Sequence, residues 1–217
     1  MILSKNWSDI MYMSRIRLNT ESRNTQLALV SPSKIHGAVE TCFVLKEERK
    51  LWRIDQLGGK YYLLLLSPEK PSLIKIKEQF GYPEEPDEIK NYDNLLDRAV
   101  SGSIWQFRLT ANPTRSVKKE GERGKVTAHV SESYQMEWLY RKAANHGFSI
   151  CSEGSCVVGI GWKNFYKNGE KQKVRLKEVT YQGILRVEDE ELFRSALING
   201  IGRGKAYGMG LLTIMRV

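Results

Sequence analysis

The chain has 217 residues, enough for one large domain or two of about 100 each. Its 41% hydrophobic and 27% charged content excludes a disordered chain, and no run approaches the ~18 apolar residues of a membrane span. With 34 Lys and Arg against 25 Asp and Glu, the net charge is +9, which points to a polyanionic partner, nucleic acid first.

The three cysteines are Cys42, Cys151 and Cys156. An odd, low count argues against a disulfide framework and suits the reducing cytoplasm, the expected location. His146, Cys151 and Cys156 form a loose cluster without a fourth ligand, so no metal site is expected, and no cofactor. The N-terminus "MILSKNWSDI" has no signal-peptide apolar core.

The opening strand is "MYMSRIRLN" at 11–19, alternating and rich in strand formers. "SPSKIHGAVETCF" at 31–43 predicts a short helix with Ser31 as N-cap and Pro32 in the first turn. Strands follow at 51–55 and 60–67 around Gly58–Gly59, then a short helix at 71–80. The polar, acidic stretch "GYPEEPDEIKNYDNLL" has no clear strand and marks a boundary near residue 100. "IWQFRLTANP" at 104–113 is a second opening strand, and the charged segment 114–130 reads as loop. Ser131 starts a helix that Gly147 stops. Two strands flank Asn168–Gly169, a strong hairpin signal, and a helix at 188–199 carries acids in its first turn. A glycine-rich loop and the strand "LLTIMRV" end the chain.

Each half thus reads approximately strand–helix–strand–strand–helix–strand. The predicted class is α+β, with two tandem ferredoxin-like (RRM-type) domains and a protruding basic β-hairpin. The boundaries are 1–10 for an N-terminal extension, 11–100 for the first domain and 101–217 for the second. On a basic chain this arrangement points to RNA.

Three stretches carry chemistry. Along the hairpin Lys171, Lys173, Arg175 and Lys177 alternate, which places them on one strand face with Val174 and Leu176 on the other; Lys163 and Lys167 precede the turn. Such a ribbon suits the phosphates of an RNA duplex. The bland alternative is a basic edge strand that blocks aggregation. The glycine loop holds Gly200, Gly202, Gly204, Gly208 and Gly210 with Arg203 and Lys205. It follows a helix and precedes the last strand, so it fits neither a dinucleotide fold nor a Walker A loop. It can approach RNA or another loop closely. Of the histidines His36, His129 and His146, any could move a proton near neutral pH.

The segments "MYMSRI", "KLWRID", "FRLTANPT", "EWLYRKAANHGF", "YQGILRV" and "GIGRGKAYGMGLL" together resemble the CasE family, the CRISPR-associated repeat-processing endoribonucleases of type I-E systems. The resemblance implies metal-independent cleavage of precursor CRISPR RNA beside a repeat stem-loop. It also implies retention of the mature guide RNA within the Cascade complex, with other Cascade subunits as partners. It places His36 at the family's catalytic histidine. Ser33 stands where the family's Y-x-x-H motif has tyrosine. Lys34, Ser33 and a hairpin cation are the candidates for stabilising the transition state. The alternative implied is a non-catalytic RNA-binding subunit of the same assembly.

Overall fold

A computed structural model of the chain describes residues 10–44, 48–117, 125–166 and 173–217. Residues 1–9 of the expected extension 1–10, Asn168–Gly169, Lys167 and Lys171 lie outside the described residues. The first half runs β1 (Tyr12–Leu18), α1 (Arg23–Val30), α2 (Pro32–Glu40), β2 (Leu51–Leu57), β3 (Lys60–Ser67), α3 (Ile74–Phe80), β4 (Glu88–Asn91) and α4 (Asp93–Leu96). Its sheet has the order β2-β3-β1-β4, every neighbour antiparallel, with Tyr12 opposite Ser67 and Leu18 opposite Tyr61. Strand β4 lies within the acidic stretch expected to lack one. It is a polar edge strand, held to β1 in part by Arg15–Glu88 at 2.6 Å, so apolar alternation gives no sign of it. Helix α1 is likewise absent from the sequence expectation.

The second half runs β5 (Ile104–Ala111), β6 (Thr114–Val117), β7 (Lys125–Ala128), α5 (Glu132–Asn145), β8 (Phe148–Ile150), β9 (Cys156–Tyr166), β10 (Lys173–Val187), α6 (Glu190–Asn199), the 3₁₀ turn Lys205–Tyr207 and β11 (Leu212–Arg216). The sheet order is β11-β5-β10-β8, with β9 also on β10. The segment 114–130 is therefore not all loop: β6 and β7 pair as a separate ribbon. Helices α2 and α5 begin after Ser31 and Ser131 as expected. Those hydroxyls meet Ser33 and Ser133 rather than helix amides. Asp189 does cap α6, accepting from the Leu192 amide at 2.9 Å.

Strand β5 covers only Val179–Arg186 of β10, so the paired segments Lys173–Glu178 and Gly161–Tyr166 project beyond the sheet. Two apolar clusters fill the molecule. One joins α1, α2 and α3 to the first sheet through Ile35, Val39, Trp52, Leu63 and Ile76. The other packs α5 and α6 on the second sheet and also takes in Met11, Leu51 and Leu66 from the first.

The two sheets meet at Arg53, whose side chain is 2% exposed. Its Nε and Nη2 donate to the two Asp55 carboxylate oxygens at 2.8 and 2.7 Å. Nη1 donates to the Arg108 and Leu211 carbonyls at 3.0 and 2.8 Å, and Nη2 also to Thr213 Oγ1 at 2.8 Å. All five guanidinium N–H donors are used, three of them on β5, β11 and the residue before β11. Arg53→Leu should lower the unfolding free energy by about 3–5 kcal/mol, because Asp55 loses its buried partner. Arg53→Lys should recover only part of that in urea denaturation, since an ammonium cannot match a planar fork. A lysine variant as stable as wild type would refute the role given to the fork.

Candidate active site and nucleic-acid interface

Helix α2 buries Ile35, Ala38 and Val39 and leaves His36 and Glu40 on its open side, one turn apart. The His36 side chain is 40% exposed, and its Nδ1 lies 3.8 Å from Glu40 Oε1. The other Glu40 oxygen is 3.4 Å from Lys50 Nζ. The Lys50 side chain is buried over the Phe43 ring. A buried cation thus anchors the carboxylate beside the imidazole. Neither Glu40 nor Lys50 is singled out by the sequence; only the i,i+4 spacing from His36 signals Glu40.

Ser33 is buried, with its hydroxyl 3.2 Å from Ser31 Oγ. Lys34 sits about 200° around the helix from His36, given 3.6 residues per turn. It lines a separate cavity of about 360 Å³ with Asn24, Gly37 and Gln79. The expectation that Lys34 supplies the cation beside His36 is corrected: adjacency in sequence puts it on the far side of a helix.

Glycine-loop residues 205–207 pack against α2 and β2. The loop is used up in close contacts. A Cβ on Gly208 would fall 2.6 Å from the Trp52 ring, and one on Gly200 2.9 Å from Leu51. Gly202 lies against Trp138, Gly204 against Met209 and Leu176, and Gly210 against the Ile201 carbonyl; all five have positive φ. The amides of Ile201, Tyr207 and Gly210 donate to the carbonyls of Gly210, Gly204 and Thr110. The loop's cations are what it offers outward. Arg203 is exposed and bridges Asn112. Lys205 is half-buried; burial, then Arg49 and Lys142, push its pKa down. Arg49 and Lys142 belong to this basic cluster, although no motif in the sequence marks them.

The hairpin keeps its expected two faces. Val174 and Leu176 share one with Phe165 and Lys163, and Phe165 meets the Tyr207 ring at 4.7 Å. Lys173, Arg175 and Lys177 share the other with Trp162. Lys173 and Arg175 are exposed, with Arg175 4.1 Å from the Trp162 ring centre. Lys177 departs from the expectation: it is only 6% exposed and lies 4.9 Å from the same ring, so it serves packing rather than the outer surface. Lys163 is on the opposite face, 3.7 Å from Glu178, in a groove of about 340 Å³ with Arg53, Arg108, Tyr207 and Gly208.

A model of the CRISPR associated protein family matches residues 11–216. The chain belongs to this family. The CRISPR-associated endoribonuclease Cse3 of Thermus thermophilus is 28% identical over 220 residues, covering 94% of this chain and 99% of that protein. The Cascade subunit CasE of Escherichia coli is 27% identical over 116 residues, 50% of this chain and 56% of that one. The CasE resemblance of the motifs is borne out by these relatives. Among solved structures, Thermus thermophilus Cse3 bound to an RNA representing a pre-cleavage complex has a TM-score of 0.80 at 24% identity, covering 95% of this chain and 99% of that one. Cas6e of Escherichia coli has a TM-score of 0.60 at 18% identity, covering 95% and 100%. The shared fold is a mixed α/β one with antiparallel sheets.

In this CRISPR-associated chain the other two histidines stand apart from α2. His129 precedes α5 and is nearly buried; burial, then Arg115 and Arg141, lower its pKa. His146, after α5, contacts the Lys142 carbonyl through Nδ1 at 2.7 Å, and burial lowers its pKa. Among the described residues no group of three His, Cys, Asp or Glu side chains could hold a metal ion, and no helix is long and apolar enough to cross a membrane. In both histidines the fold favours the neutral imidazole, while the unfolded chain takes up their protons near pH 6.5. Their stabilisation should be complete above about pH 6.5 and fall as the pH drops below it. Urea denaturation across this range should show the decline, and His129→Gln and His146→Gln should each flatten it. Parallel curves for wild type and variants would refute the assignment.

Proposed function

We propose that the chain is a metal-independent endoribonuclease that recognises the CRISPR repeat stem-loop and cleaves precursor RNA to mature guide RNA. The product stays bound, and the protein works in the cytoplasm as a Cascade subunit. The observation that carries the reading is His36, exposed on α2 with a fixed carboxylate behind it, on a helix packed against the cationic glycine loop. The named activity of the Thermus thermophilus relative and the Cascade membership of the Escherichia coli one support it. The strand orders β2-β3-β1-β4 and β11-β5-β10-β8 support two ferredoxin-like units, divided near residue 100.

The reaction needs no metal-bound water, because RNA supplies its own nucleophile. The 2′-OH attacks the adjacent phosphorus, the 5′-oxygen leaves, and a 2′,3′-cyclic phosphate forms. Glu40 beside Nδ1 turns the other imidazole nitrogen, Nε2, outward to take the 2′-OH proton or to protonate the leaving oxygen. Charge on the phosphorane is met by Lys205 in the loop that packs on α2. Lys173 and Arg175 hold the stem's phosphates, with Arg203 extending the basic surface.

His36→Ala should lower single-turnover cleavage of repeat RNA by about 10²–10⁴ while leaving affinity nearly unchanged. Chelator should not slow the wild type, and a 2′-deoxy substitution at the cut should block the reaction. Wild-type cleavage by the alanine variant would refute the site. Joint loss of binding and cleavage would make His36 a contact residue. A wild-type protein that binds repeat RNA without cutting it would establish the non-catalytic alternative, which Ser33 in place of tyrosine favours.

Replacing Lys173 and Arg175 with Gln should reduce the slope of log affinity against log salt by about 0.7–0.9 for each phosphate that is no longer neutralised. Lys177→Gln should leave that slope unchanged and instead alter Trp162 fluorescence. An unchanged slope in the double variant would mean that the hairpin is only a solvated edge.

A further inference from the structure

The stretch "CSEGSC" at 151–156 interrupts the edge of the second sheet. Strand β8 ends with Ile150 opposite Leu185, and the Cys151 amide then donates to the Ile184 carbonyl at 2.9 Å. Cys151 therefore stands opposite Ile184. Strand β9 starts with Cys156 opposite Gln182. A continuous edge strand would place one residue between these positions, opposite Gly183. Here 152–155 loop out in its place. Ser155 folds over Gly183, where any Cβ would collide with it, and its hydroxyl accepts from the Ile184 amide at 3.2 Å. Gly154 makes the turn at φ +83°.

This register brings the two cysteines together at the base of the excursion. Two steps along a strand separate their Cα atoms by about 6.7 Å. Positions two apart also share a face. Disulfides bridge Cα separations of roughly 4.4–6.8 Å, so a small movement of the loop closes the pair. Both residues are exposed and carry free thiols. The third cysteine cannot compete: Cys42 is buried on α2's C-terminal side, and burial pushes its thiol pKa up to about 12, where it holds almost no thiolate.

We propose that Cys151 and Cys156 form a redox-responsive dithiol that closes to an intramolecular disulfide with a small-molecule disulfide such as oxidised glutathione. One cysteine thiolate attacks a glutathione sulfur and releases one glutathione. The second cysteine's thiolate attacks the protein sulfur of the resulting mixed disulfide, which forms the Cys151–Cys156 bond and releases the other glutathione. Two electrons pass from the cysteine pair to glutathione disulfide, and the two thiol protons end on the released glutathiones or in solvent. The product is a loop of six residues locked at its base. It flanks a cleft of about 580 Å³ that Gly154, Gln182 and Ile184 line together with Arg53 of the first sheet. Cys151 follows β8 and Cys156 opens β9, and the chemistry of the pair is independent of the proposed nuclease activity.

The test uses the full-length reduced protein incubated with glutathione disulfide. Intact mass spectrometry should show loss of two hydrogens, and non-reducing peptide mapping should join Cys151 to Cys156. Cys151→Ser and Cys156→Ser should instead each trap a single glutathione adduct on the remaining thiol. Cys42→Ser should behave as wild type. Two glutathione adducts on the wild type with no internal bond would overturn the proposal, as would a crosslink that uses Cys42.

Discussion

The arrangement rests on one buried guanidinium. Arg53 leaves β2 on the face that looks toward the second sheet and spends its five donors on Asp55, on Thr213 and on the carbonyls of Arg108 and Leu211. A charge in that position is tolerable only with every donor occupied. The requirement fixes β2 against β5 and β11 within hydrogen-bond tolerance, which apolar contact alone does not do. Asp55 also faces Arg108 at 3.3 Å, so the carboxylate holds two cations, one from each sheet.

That junction explains the glycine loop. Trp52 is next to Arg53, so strand alternation turns its ring the other way, into the core beneath α1 and α2. The ring presents its edge to Gly208 so closely that no side chain fits there. Leu51 does the same to Gly200. The glycines thus allow the second half's terminal loop to seat on the first half's β2, and Lys205 arrives against α2 as a consequence. A pattern that looks like a phosphate cradle is, in its amides and its absent side chains, a device for bringing two parts of one chain together. The groups it leaves for an anion are the side-chain cations at its rim, Arg203 and Lys205.

What the sequence revealed depended on whether one face of an element is buried. Strands β1, β5 and β10 alternate over most of their length, and β2 and β3 carry short runs buried on both faces, so all five are legible. Strand β4 is polar because its side chains meet water and Arg15, and β6 and β7 are polar because their ribbon stands off the core; periodicity has nothing to report there. The alternation Lys173, Arg175, Lys177 is real, yet period two describes a face and not its depth. As β10 enters the sheet, the outer face becomes the inner one, and Lys177 is covered while Lys173 is not. His36 was legible from family resemblance. Glu40 and Lys50 were not, because ten residues and a helix end separate a buried lysine from the carboxylate it anchors.

The placement of these groups has a consequence for how a catalytic centre could work here. The imidazole is carried by the first half, while the hairpin cations and Lys205 are carried by the second. Proton transfer tolerates little error in donor–acceptor distance, and a misplacement of about 1 Å can cost about 10²-fold. In the proposed mechanism the proton-transfer group and the phosphate-holding groups come from different halves, so the scaffold needs a stiff joint more than further contacts to RNA. A buried, fully bonded arginine on one face of β2, with Gly200 packed on Leu51 beside it and Gly208 packed on Trp52 on the other face, supplies that stiffness.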